Sequence, residues 1–338
     1  MDLTSVAYDP DFTPGAWNAV NICLRVKPEE RVTVITDLEA LDIAASLVAE
    51  IERVGSSYKV FVLEEMGDRP FSGGMPEPVL EDLAHSKVSI FAAAAQTGEL
   101  AARIAMTNVV NRYRLRHGHM VNIDRRVMVE GMRADFAEVD DLSSRLIAKA
   151  RVTETIVVKS SGGTDLVAKF SPKLRWIKTS GIITEEKWGN LPGGEIFTSP
   201  ARVDGRFVVD GVVGDYLCNK YGDLRKKPLT IEVRDSRIVD LQCDDRELLE
   251  EFRSYTSTDE NSNRVGEFAL GTNTAVHDVI GNILQDEKIP GVHMAFGHPY
   301  SQHTLADWVS KTHIDCVGRN FDVWLDDEQV MAEGRFLI

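Results

Sequence analysis

The chain has 338 residues, of which 43 % are hydrophobic and 27 % charged, and its net charge is −15. The length favours about two domains, and the composition is ordinary for a globular protein. The acidic balance argues against nucleic acid or an anionic membrane surface as a partner, because both are bound by basic patches. No apolar run approaches the ~18 residues of a membrane span, and residues 1–15 lack the basic start and apolar region of a signal peptide. The four cysteines include no CxxC pair, so we expect a reducing, cytoplasmic setting.

The first 150 residues alternate between strand-like and helical patterns. Short apolar runs predict buried strands at residues 32–37, 59–65, 88–95 and 119–123. Apolar residues at helical spacing predict helices at residues 38–55, ending at Gly55, and at residues 99–115. Strands alternating with helices indicate an α/β domain with a doubly wound parallel sheet. Neither GxGxxG nor GxxxxGK[ST] occurs in this half, so the sequence does not support a nucleotide site there.

From residue 151 onward, strand-like segments dominate the chain. They cover residues 154–160, 164–170, 206–214, 229–243 and 321–338, and the last two contain hairpins. Helical patterns predict helices at residues 244–255 and 273–287. We place the domain boundary near residues 150–154. The prediction is an α/β N-terminal domain over residues 1–150 and a mostly antiparallel α+β metal-binding domain over residues 151–338.

His313 and Asp315 stand two residues apart in THIDCVG, which is typical of a strand. Side chains at positions i and i+2 of a strand point to the same face, so these two are expected to project together. A histidine beside a carboxylate on a rigid strand makes a good pair of metal ligands. The pair alone leaves open the alternative of a core histidine whose hydrogen bonding the carboxylate satisfies.

Three more residues with metal-binding side chains lie in or beside apolar strand-like segments. His293 is in GVHMAFG, Glu267 is in NRVGEFALGTN, and Glu195 follows a Pro-Gly-Gly turn in NLPGGEIFTSP. A carboxylate among apolar residues is costly unless it is paired or bound to metal. Each has an ordinary alternative, namely a structural histidine or a glutamate at a strand end that faces water.

Taken together, these five residues supply three carboxylates and two neutral imidazoles. One divalent ion would be over-neutralised by three carboxylates, whereas two ions leave room for a bridging hydroxide. The absence of thiolates favours Zn²⁺, Co²⁺, Mn²⁺ or Fe²⁺ in a site of mixed nitrogen and oxygen ligands. The five residues therefore predict a site for two divalent ions.

Five segments, SGGTDLVAKF, NLPGGEIFTSP, RVGEFALGTN, EKIPGVHMAFGHPY and HID, occur in an order and spacing that resemble one known family. It is the aminopeptidase T family of metallo-aminopeptidases, the thermophilic metalloproteases, and the resemblance covers roughly residues 155–338. It implies two divalent ions per chain, commonly Zn or Co, a peptide or small amide substrate, and a homodimer with the site facing a closed internal space. The implied ligands are Glu195, Glu267, His293, Tyr300, His313 and Asp315. Tyr300 could instead donate a hydrogen bond to the oxyanion of the reaction.

The resemblance has two departures, and both leave the substrate open. The N-terminal half is shorter than in typical members, and the segment between Tyr300 and His313 is short and carries Gln302 and His303. Relatives of the same fold include iron-dependent dioxygenases that cleave dihydroxypyridine rings and carry a histidine where Glu267 stands here. An Fe(II) dioxygenase is therefore the alternative function, and Glu267 favours the two-metal hydrolase. A non-catalytic relative is a third possibility, against which the intact ligand set argues.

Some residues near the expected site have open roles. Glu287 matches an acidic position of the family, and His298 and His303 flank Tyr300, where they could carry protons. His277 is expected to be solvated on the helix at residues 273–287. The sequence does not identify the general base.

Overall fold

The computed structural model describes residues 2–338. Its strands, in chain order, are β1 (Arg31–Thr36), β2 (Ser57–Val62), β3 (Val88–Ala93), β4 (Arg116–Val121), β5 (Thr155–Ser160), β6 (Asp165–Lys169), β7 (Ile177–Lys178), β8 (Gly189–Asn190), β9 (Glu195–Thr198), β10 (Arg202–Val209), β11 (Leu229–Arg234), β12 (Arg237–Gln242), β13 (Val265–Gly271), β14 (Gly291–Gly297), β15 (His313–Val317), β16 (Phe321–Leu325), β17 (Glu328–Ala332) and β18 (Arg335–Phe336).

The α-helices are α1 (Thr13–Trp17), α2 (Leu41–Val54), α3 (Leu63–Met66), α4 (Glu77–Ala84), α5 (Leu100–Tyr113), α6 (Arg125–Val129), α7 (Phe136–Ala150), α8 (Asp215–Tyr221), α9 (Arg246–Tyr255), α10 (Ile283–Asp286) and α11 (Ser301–Thr304). A π-helical segment, Asn18–Cys23, continues α1, and short 3-10 turns occur at Leu3–Ser5, Pro10–Phe12 and Gly131–Arg133. Within residues 2–338, no helix combines the length and the apolar composition needed to cross a bilayer.

By internal contacts the chain divides into two compact units. The first runs up to Phe136 and includes Gly181–Gly193, and the second contains Ala137–Ser180 and Gly194–Ile338. This division differs from the boundary that composition favours near residues 150–154. Helix α7 accounts for the difference, because its apolar residues, Leu146 among them, belong to the core of the second unit.

The first unit contains a parallel five-stranded sheet in the order β2-β1-β3-β4-β8, here called sheet 1. The predicted doubly wound parallel sheet is thus confirmed. Its central strand β3 is buried at every position, as expected for an apolar strand covered on both faces. Helix α2 ends where Gly55 adopts a left-handed conformation (φ +81°), which closes the helix at the predicted residue.

A buried arginine occupies the carboxyl-terminal edge of sheet 1. Strand β1 lies between β2 and β3, so the direction of strand succession reverses there, at the position where open α/β sheets bind ligands. The Arg69 guanidinium lies beside this point and donates to Glu99 at 2.7 and 2.8 Å, to Asp37 at 3.0 Å and to the Ala94 carbonyl at 2.7 Å. Asp37 in turn accepts the Ala94 N–H. The edge is therefore occupied by the protein's own side chains.

Two histidines on β4 form a buried polar chain that the sequence did not reveal. Nδ1 of His117 lies 2.8 Å from the Ser89 hydroxyl, and Nε2 of His117 lies 3.2 Å from Nδ1 of His119. The ring of Trp188 lies against both imidazoles. Burial lowers the pKa of His117 to about 3, and burial together with His117 lowers the pKa of His119 well below its usual value. Both imidazoles are therefore neutral in the folded protein.

We expect these histidines to make the protein acid-sensitive. The folded pKa lies below the unfolded value, so the unfolded chain takes up protons that the folded chain does not, and stability falls as the pH drops below about 6.5. Each histidine contributes about 1.4 kcal/mol per pH unit over this window, down to pH 3 for His117. Urea-unfolding free energies at pH 7, 6 and 5 should fall less steeply for His117→Gln than for the wild type. The exposed His85→Gln is the control, and equal slopes for the wild type and His117→Gln would contradict the assignment.

The second unit is built on two antiparallel sheets. Sheet 2 has the order β12-β11-β10-β6-β5-β16-β17-β18, and sheet 3 has the order β15-β14-β13-β9-β7. Both sheets contribute to one hydrophobic core, in which Phe207 and Phe321 of sheet 2 join Phe268 and Phe296 of sheet 3. The mostly antiparallel α+β prediction is confirmed for this unit.

The predicted helix at residues 273–287 is wrong. Only Ile283–Asp286 is helical, and residues 274–282 form an irregular loop that begins with a turn. The buried Asp286 carboxylate accepts the N–H groups of Ile280, Gly281 and Asn282 at 2.8 to 2.9 Å, which fixes a loop in place of a helix. A short polar side chain that binds nearby backbone competes with helix formation in this way. His277 therefore lies in an exposed loop rather than on a helix.

Candidate metal centre

The two faces of sheet 3 carry different side chains. One face supplies the core, with Ile196, Phe268, Leu270, Met294 and Ile314 among its residues. The other face carries the ligand-type residues, which come from four strands: Glu195 on β9, Glu267 on β13, His293 on β14, and His313 and Asp315 on β15. The period-2 alternation of each strand separates the two sets. The structure thus brings together the five candidate residues that the sequence analysis selected, although 120 positions separate Glu195 from Asp315.

Small residues keep the space between these side chains open. The register places Ala295 opposite Glu267 on one side and opposite Asp315 on the other, and it places Ala269 opposite His293. His313 lies opposite Gly297. A larger side chain at Ala295 would stand between the two carboxylates. The cross-strand neighbours therefore leave room for something that the ligand-type groups can share.

A β-bulge aims Glu267 at this face. The register of β13 against β14 shifts between Val265 and Glu267, so Gly266 is an extra residue in the strand. Val265 and Phe268 both point into the core although they are three residues apart, and Glu267 points the other way. Gly266 is required there, because a Cβ atom would lie 2.2 Å from the Gly297 carbonyl oxygen.

Glu195 is held from several directions. Gly194 before it has φ +131°, and a Cβ atom there would lie 2.6 Å from the Asn273 side chain, so only glycine fits. The Glu195 Oε1 atom accepts hydrogen bonds from Thr179 Oγ1 at 2.9 Å and from Lys288 Nζ at 2.7 Å. The Oε2 atom remains directed toward His293. Burial raises the pKa of Glu195, but the Lys288 ammonium outweighs it and holds that pKa below its usual value.

The distances among the ligand-type atoms suit shared metal ions. His293 Nε2 lies 3.5 Å from Glu195 Oε2 and 3.5 Å from Glu267 Oε1. His313 Nε2 lies 3.3 Å from Asp315 Oδ1 and 3.9 Å from Glu267 Oε2. Two ligands about 2.1 Å from a tetrahedral ion stand ~3.4 Å apart. His293 Nε2 and Glu267 Oε2 are buried without a hydrogen-bond partner, which is costly unless something else fills the site. The donor set fits a divalent ion.

The ligand-type atoms form overlapping groups, each within 4.8 Å. One contains Glu195, Glu267 and His293, and a second contains Glu267, His313 and Asp315. A third contains Glu287, His293 and Asp315. Glu267 belongs to the first two groups and uses a different oxygen toward each histidine. It is therefore the residue that the first two groups share.

The charges of the centre favour cations. Burial lowers the pKa of His313, but Asp315 outweighs that effect and the pKa rises to about 10, while that of Asp315 falls to about 2. The pKa of His293 is also raised, because Glu267 and Glu195 outweigh its burial. Histidines that retain protons this strongly report an excess of negative charge around them.

His313 is oriented by a backbone carbonyl. Its Nδ1 atom donates to the His298 carbonyl at 2.9 Å, which leaves Nε2 as the atom that can bind a metal. The Nδ1 atom of His298 accepts the N–H of Tyr300 at 3.0 Å. His298 thus supports the geometry of both neighbours, a role that the sequence did not show.

The ring of Tyr300 packs against His313 of the cluster. Its ring centroid is 4.6 Å from that of His313 and 5.9 Å from that of Phe197. Its backbone is left-handed (φ 49°), which turns the chain into α11. Burial, with the nearby carboxylates, raises the pKa of Tyr300 well above its usual value, so the phenol keeps its proton.

Two neighbours of the cluster received little or no weight from the sequence. Lys288 is 1 % exposed and donates to both Glu195 and Glu287. Burial raises the pKa of Glu287 to about 8. A lysine next to a glutamate in DEKIP is typical of a solvated surface pair, so the sequence carried no signal for this contact. His303 is exposed on α11, and Cys316 points into the core, on the face opposite to His313 and Asp315.

Comparisons with known proteins place this centre in context. No curated protein matches the sequence. Among solved structures, wild-type AmpT from Thermus thermophilus is similar with a TM-score of 0.71 and 18 % identity, covering 97 % of this chain and 99 % of that one. The 2,5-dihydroxypyridine dioxygenase of Pseudomonas putida KT2440 is similar with a TM-score of 0.69 and 15 % identity, covering 96 % of each chain. At these identities the two structures share the fold.

The family comparison reaches further than the fold. Residues 77–321 match the model of the thermophilic metalloproteases (M29), which is well over half of the chain. The matched range contains all the residues of the cluster, from Glu195 to Asp315. The chain therefore belongs to the thermophilic metalloprotease family (M29) and is a metal-dependent hydrolase.

Proposed function

We propose that the protein is an aminopeptidase that removes N-terminal residues from small peptides with two divalent ions per chain. The observation that carries the proposal is the position of Glu267, shared by two ligand groups that each contain a different histidine. Glu267 Oε2 and His293 Nε2 are both buried without a hydrogen-bond partner, and they add support because a bound cation would satisfy both atoms. Zn²⁺ and Co²⁺ suit the mixed donors best, and Mn²⁺ and Fe²⁺ are compatible with them.

The charge of the centre supports two ions rather than one. With Glu287 ionised, which a neighbouring divalent ion would favour, the four carboxylates of the three groups and the Lys288 ammonium leave three negative charges when both histidines are neutral. A single divalent ion would leave part of this buried charge uncompensated, which is costly. In our proposal, Glu195 and His293 would hold one ion, His313 and Asp315 would hold the other, and Glu267 would be shared between the two.

Divalent ions, when bound, lower the pKa of water toward ~7 and polarise the carbonyl of an amide. The protein's own groups complete the site. The protonated Tyr300 hydroxyl is available to donate a hydrogen bond to an oxyanion. The His298 carbonyl keeps His313 in one orientation, and the apolar side of sheet 3 fixes the strands beneath the ligands. A free, neutral amine could also donate its lone pair to a bound divalent ion, which favours a substrate with an unblocked N-terminus.

The substrate and assembly belong to the same proposal. We propose a peptide or small amide as substrate, a homodimer as the working form and the cytoplasm as the location. The four cysteines are all unpaired, which suits a reducing compartment. Light scattering at micromolar concentration measures the assembly directly, and a monomer would contradict that part of the proposal.

The activity is tested by removing and restoring metal. Purified protein is treated with a chelator, reloaded with Zn²⁺ or Co²⁺, and assayed on Leu, Ala, Phe and Arg p-nitroanilides with free and with acetylated amines. We expect activity only after reloading, only on free amines, and with two ions per chain by elemental analysis. No hydrolysis of any substrate with any metal would reject the aminopeptidase, and equal hydrolysis of acetylated substrates would reject the N-terminal specificity.

The alternative is an Fe(II)-dependent dioxygenase of a dihydroxypyridine-like ring. It would need a single iron held by His293, His313 and Asp315, with Glu267 as a replacement ligand. Within residues 2–338, no ligand group unites these three atoms, and each group includes a glutamate. One iron per chain together with oxygen consumption would favour this alternative over two zinc or cobalt ions.

A further inference from the structure

Lys288 is the only buried lysine among residues 2–338, and it lies next to the metal centre. Its Nζ atom donates to Glu195 Oε1 at 2.7 Å and to Glu287 Oε1. Burying an ammonium costs several kcal/mol unless it is paired and hydrogen-bonded. The protein retains this cation beside residues that would bind cations themselves, which calls for a reason beyond packing.

The contact decides which oxygen of Glu195 is available. Oε1 accepts from both Lys288 Nζ and Thr179 Oγ1, so its lone pairs are occupied. Oε2 carries no such contact and lies 3.5 Å from His293 Nε2. Glu195 can therefore present one oxygen, and not two, to an ion beside His293.

The backbone around Lys288 fixes this arrangement. The Lys288 carbonyl accepts the N–H of Asn273, and Asn273 packs directly against Gly194, the residue before Glu195. The Thr272 N–H donates to the Gly194 carbonyl. The ammonium and the carboxylate are thus positioned by two segments that are tied to each other, and the pair has little freedom to reorient.

We propose that Lys288 is a positioning residue that holds Glu195 as a one-oxygen ligand of the ion beside His293. The inference rests on the two-ion site proposed above. Loss of a group that orients a ligand typically lowers metal affinity by about tenfold to a hundredfold. The opposite effect is expected if Lys288 acts only as a charge, because removal of a nearby cation would strengthen binding of a positive ion.

The test measures metal affinity without relying on turnover. Metal-free wild type, Lys288→Met, Thr179→Val and the control Lys226→Met are titrated with Zn²⁺ against a competing chelator, and their Co²⁺ forms are compared by visible absorption. Lys226 is exposed in the same unit, so it reports the effect of losing one positive charge from the surface. We expect Lys288→Met to lower the affinity for one of the two ions by about tenfold to a hundredfold and to leave the affinity for the other unchanged.

Thr179→Val removes the second donor to Glu195 Oε1 with little change in shape. We expect it to lower the affinity for the same ion, by a smaller factor than Lys288→Met does. It should also change the same visible absorption band of the Co²⁺ form. If Lys288→Met does not fold, the Thr179→Val result decides alone. Unchanged or tighter binding in the folded variants would overturn the inference. A wild type that does not bind two ions would instead overturn the proposed function, so the two failures are distinguishable.

Discussion

Glu267→Gln is expected to lower the metal content below two ions per chain and to abolish hydrolysis while the fold survives. The substitution keeps the shape of the side chain and removes its charge. Glu267 directs one oxygen toward His293 and the other toward His313. A neutral amide at this position would therefore weaken metal binding by both ligand groups. Its side chain points away from the core formed by Phe268 and Leu270, which the substitution leaves intact.

The measurements are elemental analysis, circular dichroism and p-nitroanilide hydrolysis of the variant. Glu250→Gln is the matched control, because Glu250 is exposed on α9 of the same unit and undergoes the same chemical change. We expect the control to retain two ions and full activity. Full metal occupancy and normal turnover in Glu267→Gln would show that Glu267 does not take part in the site.

Arg69→Met is expected to destabilise the first unit by about 3–5 kcal/mol, the usual cost of breaking a buried ion pair. The Arg69 side chain is 3 % exposed, and those of its partners Asp37 and Glu99 are 1 % and 5 % exposed. Methionine fills much of the volume but leaves these two carboxylates buried without a cation. Burial raises the pKa of Glu99, and the Arg69 contact outweighs it and keeps that pKa low, so the loss of Arg69 would favour protonation.

Urea unfolding at pH 7 measures the change, with the exposed Arg112→Met of the same unit as control. Adding Glu99→Gln to Arg69→Met should recover part of the loss, because one of the orphaned charges is then removed. Additive losses in the double variant, or a change below about 1 kcal/mol in Arg69→Met, would contradict the assignment, since that is the range of an exposed ion pair.

The sequence predicted those parts of the structure that depend on local alternation. The apolar strands and the helix that ends at Gly55 follow from periodicity, and both sheet types are confirmed. The positions of His313 and Asp315 follow from the same rule, because nothing interrupts the period of β15 between them. Their role as ligands, like that of the other site residues, stays a prediction that metal analysis can test.

The remaining features depend on contacts that are distant in sequence or on local competition. Nothing in the sequence around Arg69 indicates that its side chain is buried, because its partners Asp37 and Glu99 are about 30 residues away along the chain. The apolar spacing of residues 273–287 predicted a helix, but the Asp286 carboxylate binds the backbone of residues 280–282 and prevents it. The bulge at Gly266 could not be predicted either, although regular alternation from Val265 would have placed Glu267 on the core side without it.

The bulge at Gly266 has a consequence for how this protein tolerates changes in length. Which face of sheet 3 a side chain of β13 reaches depends on whether its position is odd or even in the strand. The extra residue reverses this assignment once, between Val265 and Glu267. Deletion of Gly266 would make the alternation of side chains along β13 regular. The side chains on one side of the bulge would then point to the opposite face of the sheet. Either Glu267 would enter the core or Val265 would leave it. We expect the gain or loss of a single residue in this strand to remove the metal centre entirely.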